Sequence, residues 1–375
     1  MMNFPIIIGI TSGAAFLLGF LLIAHPRKVN IMANRYLGLF VITVGLALIE
    51  IPLFHEKFQV QHPKLFEIIG LVRFLTAPFL YISIMYFTSV HKKFNKKMIL
   101  HFLPFLVFAL FRFPFFITGK NFEFNYETGR IVFFILGTAL PLQTVMYWFL
   151  SFWRLEKHIK NIRNFSSDTA TIDLLWLRSF LLVIVLIVVS WLNLVFFNVT
   201  ELIQFTPFIY LISLFFLAYF SLQQKEIFDV HKEDSEDVKE SIKDKKETPK
   251  RLSESRLAEL NLQLQTSMNE WKLYLDNQLN LPALAKSINA SCNDTSFAIN
   301  ELYGDNFYNF VNKYRIEEAK KLLLSTRYNQ LNILGIAYES GFNSKTTFNT
   351  TFKKYTGCSP REFLKANAVV TEENI

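Results

Sequence analysis

The chain has 375 residues, of which 51% are hydrophobic, 16% aromatic and only 19% charged. Soluble domains carry about 25% charged residues, so this composition excludes a disordered or collagen-like chain and argues against an ordinary soluble protein. The formal net charge of +8 is unevenly distributed, because residues 1–224 contain 18 Lys and Arg against 9 Asp and Glu, and residues 225–375 contain 21 against 22. The cationic excess therefore concerns membrane topology rather than nucleic acid.

Residues 1–224 contain apolar runs long enough to cross a bilayer, since a transmembrane helix needs about 20 apolar residues. We predict a seven-span membrane sensor domain over residues 1–224, with the first run retained rather than cleaved as a signal peptide. Prolines inside the runs are compatible with spanning helices, because neighbouring helices satisfy the freed carbonyls. The seven runs are 4–24, 37–54, 68–90, 98–117, 131–153, 175–199 and 203–222.

Loop charges predict the orientation of these spans. The loops after the odd-numbered spans contain 11 Lys and Arg, and the alternate loops contain 4. Cytoplasmic loops carry the excess of Lys and Arg. We therefore predict a multi-pass protein of the cytoplasmic (inner) membrane, in contact with the lipid bilayer, with its N-terminus outside and its C-terminal half in the cytosol.

Some ionisable residues fall within the predicted spans, and Glu50, Arg73 and Arg112 lie there toward the outer face. Charges inside a membrane are costly and often mark function. Two guanidinium groups and a carboxylate could hold an anionic or zwitterionic small ligand at the outer face. The alternatives are an internal ion pair between Glu50 and an arginine, or arginine side chains that extend to the interface.

The sequence contains no catalytic motif, and we predict no enzymatic activity, no catalytic residue, no metal site and no cofactor. A histidine kinase is excluded because no His follows His231 and no Gly-rich nucleotide loop is present in the soluble half. Cys292 and Cys358 are expected to be free thiols, because disulfides are rare in a reducing cytosol.

Residues 225–256 are densely charged with both signs, which predicts a flexible linker. Apolar residues then recur at steps of three or four from Leu257 to Leu275. This spacing predicts an amphipathic helix that leads into a domain over residues 257–375.

One pattern occurs twice in that domain: an aliphatic residue followed by Ala, then a residue suited to positive φ, then Ser. Asn or Gly in this position ends a helix, and Ser caps the next one. Two helices joined by a tight turn form a helix-turn-helix, whose second helix fits a major groove. The repeated residues are Leu284, Ala285, Asn289 and Ser291, then Ile336, Ala337, Gly341 and Ser344.

A long helix over about Asn306–Ser325 is predicted between the two units, with Phe310, Val311 and Leu322 on its apolar face. Such a spacer would place both recognition helices on one side of a duplex, about one helical turn apart. Arg315, within this helix, is predicted to pair with Glu318 or another acid of the domain.

The segment from about Trp271 to Phe363 resembles the AraC/XylS-type DNA-binding domain. The resemblance implies transcriptional regulation by binding of double-stranded DNA, and a homodimer is the family-like expectation. Together with seven spans, it looks like the membrane-embedded, one-component sensors of that family. The matching stretches are Leu284-Ala285, Ser291, Ser296, residues 306–319, Ile336-Ala337, residues 341–345, Phe348, residues 352–354 and residues 357–363.

The resulting expectation is an all-α protein, with a seven-helix transmembrane domain followed by a cytosolic tandem helix-turn-helix domain. Base contacts are predicted in both recognition helices, and phosphate contacts at exposed lysines. The predicted DNA-binding residues are Asn293, Asp294, Ser296 and Phe297 in the first unit, Ser344, Lys345, Thr346 and Asn349 in the second, and Lys313, Lys353 and Lys354 for phosphates.

Three positions depart from the family pattern, which usually has Leu at Thr295 and often Arg at Phe297 and Thr350. Residues 261–365 contain 12 Lys and Arg against 9 Asp and Glu, which is a weak electrostatic footprint for DNA. An alternative function is therefore a membrane-anchored interaction protein whose degenerate helix-turn-helix domain binds a protein partner. A membrane enzyme or transporter would need a polar site at the midplane, where none of the three intramembrane charges lies.

Overall fold

The structure, a computed structural model, describes residues 4–24, 29–89, 96–167, 172–196, 200–224, 252–325 and 331–372. Helices make up the regular secondary structure of these residues, which confirms the all-α prediction. The chain divides into two compact units, one formed by Met1–Lys157 and Leu174–Ile227, the other by His158–Asp173 and Phe228–Ile375.

The first unit contains the apolar helices. In chain order they are α1 (Phe4–Ala24), α2 (Ile31–His55), the short α3 (Phe58–Gln61), α4 (Pro63–Phe87), a 3₁₀ helix (Lys96–Phe102) that leads into α5 (Leu103–Thr118), α6 (Tyr126–Ile162), α7 (Leu175–Phe196) and α8 (Thr200–Gln223). The last turn of α6, from His158, belongs to the second unit. The ends of the third and sixth predicted spans, residue 90 and residues 197–199, lie outside the described residues.

Six helices of the described residues are long and apolar enough to cross a membrane by length and composition. The sixth predicted span corresponds to α7. Its apolar stretch, Leu175–Val189, is shorter than those of the six helices. The seven-span count therefore stays a prediction, with six or seven candidate helices in this half of the chain.

Several of these helices carry apolar side chains on their outer surfaces. On α5, Leu106, Leu110 and Phe113 are 46%, 71% and 56% exposed. Contiguous exposed apolar surface of this kind marks contact with a membrane or a partner. Contacts between helices are partly polar, since Ser83 of α4 donates to the carbonyl of Ala33 at 2.8 Å.

The second unit begins its C-terminal part with α9 (Glu254–Asn269), which Ser253 caps by accepting the N–H of Arg256. The predicted leading helix therefore exists, but it ends at Asn269, and Leu273–Leu275 form a separate 3₁₀ turn. Residues 225–251 of the predicted linker lie outside the described residues.

The remaining helices of this unit form the predicted tandem arrangement. They are α10 (Leu281–Ser287) and α11 (Cys292–Tyr303) in the first helix-turn-helix, the long α12 (Phe307–Leu323), α13 (Ile333–Glu339) and α14 (Lys345–Thr356) in the second, and a final α15 (Pro360–Glu372). The predicted spacer helix is thus confirmed, with Asn306 as its cap.

Two separate hydrophobic cores stabilise the two helix-turn-helix units, and α12 contributes to both. Its first half places Phe310 and Val311 in the core with α9, α10 and α11. Its second half places Ala319 and Leu323 in the core with α13 and α14. The spacer is therefore a structural member of both units.

The unit boundaries differ from the predicted domains in one respect. Residues His158–Asp173, which the sequence assigned to the membrane domain, cluster with the C-terminal unit. A main-chain bridge pairs Ser166 with Asn280 in antiparallel fashion inside that unit. Apolar periodicity contains no signal for such a pairing.

Candidate nucleic-acid interface

Both helix-turn-helix turns adopt the local geometry that their sequences predict. Asn289 and Gly341 have φ values of 50° and 87°. The Ser291 hydroxyl accepts the N–H of Asp294 at 3.0 Å, and the Ser344 hydroxyl accepts the N–H of Thr347 at 3.4 Å. In each unit the positive-φ residue therefore follows the first helix and the serine caps the second, which is the local arrangement of a helix-turn-helix.

The second recognition helix, α14, separates a buried face from an exposed one. Phe348 and Phe352 are fully buried in the core, as the sequence predicted. Lys345, Thr346 and Lys353 are exposed. The hydrophobic side of α14 thus fixes the helix, and the opposite side presents donors and cations.

A cavity of about 1190 Å³ lies beside this exposed side, between α13, α14 and α15. We call it the basic groove. Its lining contains five cationic side chains and no carboxylate, so the small net charge of the domain is concentrated on one surface. The cations are Lys345, Lys353, Lys354, Arg361 and Lys365.

Two of these cations, Arg361 and Lys365, were missed by the sequence reasoning. They lie on α15, which packs with Phe363 and Leu364 against the second core. The Ser-Pro-Arg-Glu sequence marks a helix start, but only the packing of α15 shows which of its side chains face α14.

Lys354 and Ser344 have defined partners within the domain. The Lys354 ammonium donates to the side-chain oxygen of Asn309 at 2.8 Å, and it lies 5.2 Å from the Tyr355 ring centroid. Lys354 is exposed, so its charge can still face a phosphate. The Ser344 hydroxyl is engaged as a cap, which leaves it a structural role at the start of α14.

The first recognition helix, α11, presents fewer charges. Asn293 is exposed, while Asp294, Ser296 and Phe297 are half-buried. Lys313, on α12, is exposed. The DNA contacts predicted for the first recognition helix therefore lie along α11, which is accessible but largely uncharged.

The departures from the family pattern have different structural consequences. Thr295 is fully buried, and its hydroxyl donates to the carbonyl of Ser291 at 2.9 Å, so a polar residue replaces the usual Leu without an unsatisfied group. Thr350 is exposed and lines the basic groove.

Arg315 lies on α12 between the two helix-turn-helix units and is 1% exposed. Its guanidinium donates to the carbonyls of Tyr274 and Asp276, each at 2.7 Å. Glu318 instead accepts the Tyr274 hydroxyl at 3.1 Å, so Glu318 is not the partner that the sequence predicted for Arg315, and pairing with another acid of the domain stays a prediction. Burial, together with the negative charge of Glu318 and this hydrogen bond, raises the pKa of Tyr274 to about 12.

The residues predicted to bind a ligand at the outer face form ion pairs within the compact unit that contains the apolar helices. Glu50 pairs with Arg73. Arg112 holds both oxygens of Glu67, at 2.9 and 2.5 Å, and donates to Asn121 at 3.0 Å. The structure thus brings Glu50 and Arg73 together and places Arg112 with Glu67, a partner that the sequence reasoning missed.

Arg112 also lines a cavity of about 540 Å³ between α5 and α6, together with Arg130 and aromatic side chains that include Phe111, Phe115 and Phe122. Phe115 lies 5.0 Å from the Arg112 guanidinium. Cationic and aromatic groups in one cavity suit an anion with an apolar part. Ligand binding by Glu50, Arg73 and Arg112 stays a prediction.

The geometry of the second unit defines a tandem helix-turn-helix domain with a basic groove beside its second recognition helix. Residues 284–366 match a family model described as a helix-turn-helix domain, and this segment is a domain of the AraC type. The predicted family resemblance is thereby confirmed for this part of the chain.

The similar proteins carry the same class of domain. Uncharacterized HTH-type transcriptional regulators of Staphylococcus aureus strains COL, MSSA476 and N315 are each 32% identical over 101 residues. The matched segment covers 27% of this chain and 13% of each relative. No solved structure matches the chain significantly.

Proposed function

We propose that this chain is a membrane-bound one-component transcriptional regulator, in which the tandem helix-turn-helix domain binds promoter DNA sequence-specifically under the control of the helical membrane domain. One observation carries the DNA-binding part of the proposal: five cations and no carboxylate line the basic groove beside the exposed side of α14. Cations positioned around a recognition helix are suited to phosphates, while the helix itself reads bases.

The division of roles within the site follows from side-chain chemistry. Asn349 can bond bidentately to adenine, and Lys345 can donate to guanine. We assign Lys353, Lys354, Arg361 and Lys365 to phosphate contacts in the second helix-turn-helix unit. In the first helix-turn-helix unit, we assign Asn293, Asp294, Ser296 and Phe297 to base contacts. Lys313, on α12, is assigned to the DNA backbone.

The test is a selection of random duplexes by the full chain in lipid nanodiscs, at two salt concentrations. Enrichment of a site with two half-elements about one helical turn apart is the expected result. Failure to enrich any sequence at either salt concentration would contradict the proposal and favour the interaction protein that binds a protein partner. A chain with Lys345→Ala and Asn349→Ala serves as the control for α14.

The membrane placement is supported by the apolar outer surface of α5 and by the excess of cations in the loops after the odd-numbered spans. In the proposed orientation, Lys120 lies outside the inner membrane and Ser255 lies in the cytosol. Single cysteines at these positions, in a chain with Cys292→Ala and Cys358→Ala, report the orientation. A membrane-impermeant maleimide should label only K120C in intact cells, and labelling of S255C would reverse the orientation.

The sensor role is proposed from the cavity that Arg112 and Arg130 line. We infer that an amphipathic anion binds there, while the Glu50–Arg73 ion pair holds α2 to α4 near the outer face. Arg130→Gln should remove the response of promoter affinity to decanoate, used as the probe, and Lys120→Gln should not. An unchanged response in the Arg130→Gln chain would contradict this site.

A homodimer is proposed because two membrane-held domains raise each other's effective concentration at a symmetric operator. Mass photometry of the solubilised chain should give twice the monomer mass of 43.8 kDa, apart from the detergent. A monomer mass with undiminished DNA affinity would contradict the dimer.

A further inference from the structure

The five residues that follow α6 along the chain are bound to the helix-turn-helix domain. Residues 163–167, which we call the docking strand, lie in the same compact unit as that domain. Phe165 and Ser167 are 6% and 0% exposed. Ser166 pairs with Asn280 through the antiparallel bridge. The docking strand is therefore part of the folded unit and not a loop on its surface.

Main-chain carbonyls of the docking strand accept hydrogen bonds from N–H groups at the N-termini of two helices of the domain. The carbonyl of Phe165 accepts the N–H of Leu281, the first residue of α10, at 2.9 Å. The carbonyl of Arg163 accepts the N–H of Tyr308, near the start of α12, at 3.0 Å. The first N–H groups of a helix have no partner within it. The docking strand therefore supplies hydrogen-bond acceptors at the start of α10, in the first helix-turn-helix unit, and at the start of α12, the spacer helix.

Ser167 connects the docking strand to Arg315. Its hydroxyl donates to the carbonyl of Leu279 at 2.6 Å and accepts from the Arg315 guanidinium at 3.0 Å. Its carbonyl accepts from the Asn312 side chain at 3.1 Å. Asn312 and Arg315 are both buried on α12, so Ser167 is held by the spacer helix itself.

Arg315 extends this connection to the second helix-turn-helix. Its guanidinium lies 5.8 Å from the ring centroid of Phe342, which belongs to the second core. On α12, Arg315 also lies between Val311 of the first core and Ile316 of the second. One buried side chain therefore contacts the docking strand, the 3₁₀ turn before the first unit, and the turn of the second unit.

We propose that the docking strand fixes the two helix-turn-helix units relative to each other, and that its displacement lowers the affinity for DNA. This inference rests on the proposed function. Binding two major-groove segments requires both recognition helices in a set geometry, and a preorganised domain loses less entropy when it binds. Because Arg163 directly follows the last residue of α6, a movement of the end of that helix acts on the strand without passing through residues 225–251.

The first experiment is Ser167→Ala in the full chain in nanodiscs, with the duplex selected by the parent chain. The substitution removes a hydrogen bond to a charged group and one to a carbonyl, a loss that predicts at least fivefold weaker DNA binding. Hydrogen exchange at Leu281 and Tyr308 should accelerate. Ser325→Ala is the matched control, since the Ser325 hydroxyl, just beyond the end of α12, donates to the nearby carbonyl of Leu322.

The second experiment keeps the test valid if the alanine variant is unstable. Ser166→Cys and Asn280→Cys, in a chain with Cys292→Ala and Cys358→Ala, place two thiols at directly opposed antiparallel positions, within reach of a disulfide. Added to Ser167→Ala, this pair should raise DNA affinity when oxidised and lose the gain when reduced, while the Asn280 side chain that caps α10 is absent in both states. Comparison of one chain in two redox states removes any effect of the cysteines themselves.

Each outcome has a definite meaning. Absence of the disulfide under oxidising conditions, or DNA affinity that is unchanged or increased in Ser167→Ala, overturns the inference, and an increase would make the docking strand inhibitory. If the parent chain selects no duplex, the proposed function fails, whereas the cross-link and the exchange rates still report on docking. If a duplex is selected but docking does not alter affinity, only this inference fails.

Discussion

Gly341 lies directly against the carbonyl oxygen of Tyr274, so that no Cβ atom fits between them. A Cβ at this position would also lie 3.0 Å from the Leu275 Cα and 3.1 Å from the Arg315 Nε. The turn of the second helix-turn-helix therefore packs on the 3₁₀ turn that precedes the first, with Arg315 beside both.

Gly341→Ala should consequently destabilise the domain by more than its backbone conformation alone requires. An alanine at φ 87° costs about 1–2 kcal/mol, and the close approach to Tyr274 adds to it. Gly357→Ala is the matched control, because Gly357 has φ 79° and no atom within 4 Å of its Cβ position. Hydrogen exchange of α14 amides in the full chain measures both losses, and equal losses would contradict the role of the Tyr274 contact.

The basic groove predicts a change in the salt dependence of DNA binding. Each phosphate contact contributes about −0.9 to the slope of log K against log salt concentration. Lys353→Ala and Arg361→Ala should each reduce the magnitude of this slope by about 0.9 and weaken binding to all sequences alike. Lys321→Ala removes an exposed cation outside the groove and should leave the slope unchanged. A slope that responds equally to all three would mean that the groove has no special role.

Asn349 should affect sequence preference rather than general affinity. A bidentate contact to a base contributes about 1–3 kcal/mol of discrimination. Asn349→Ala should therefore relax selection at one or two adjacent base pairs of one half-element and leave the salt slope intact. Repeating the duplex selection with the variant measures the change in sequence preference. An unaltered consensus sequence would mean that Asn349 does not contact a base.

The start of α15 predicts a pH dependence. The Ser359 N–H donates to the Glu362 carboxylate at 2.7 Å, and the Ser359 hydroxyl accepts the N–H of Glu362 at 3.3 Å, which is a capping box. The main-chain hydrogen bond from Ser359 holds the pKa of Glu362 below its ordinary value of 4.5. A lowered folded pKa means that the carboxylate stabilises the fold above pH 4.5 and loses this effect as the pH falls through the lowered value.

Glu362→Gln should therefore reduce stability near neutral pH and flatten its decline in acid. Thermal unfolding of the full chain between pH 3 and pH 7, followed by circular dichroism, measures this difference. Glu301→Gln, an exposed carboxylate on α11, controls for the change of net charge. Parallel curves for Glu362→Gln and the parent chain would show that the cap does not titrate.

Local chemistry made the helix-turn-helix units predictable. Asn289, Gly341, Ser291 and Ser344 act within a few residues of themselves, so their sequence positions indicated the turns and caps that the structure shows. The burial of Phe348 and Phe352 followed from helical periodicity for the same reason.

Long-range pairings were not predictable in this way. Ser167 and Arg315 are 148 residues apart, and nothing in their local sequence indicates a partner. A buried arginine suggests a nearby acid, and this general expectation led to Glu318, whereas main-chain carbonyls accept from Arg315 in the structure. The same limit applies to Arg361 and Lys365, whose direction depends on how α15 packs on the second core.

The membership of α12 in both cores has a consequence for genetics. Val311 and Ala319 lie at fully buried positions of different cores on one continuous helix, so an enlarged side chain at either position disturbs a helix that both recognition helices need. A screen for loss of promoter control should recover such alleles as nulls whose footprints fade over the entire operator. Substitutions of residues in the basic groove should instead give an asymmetric footprint, in which one half-element is protected and the other is not.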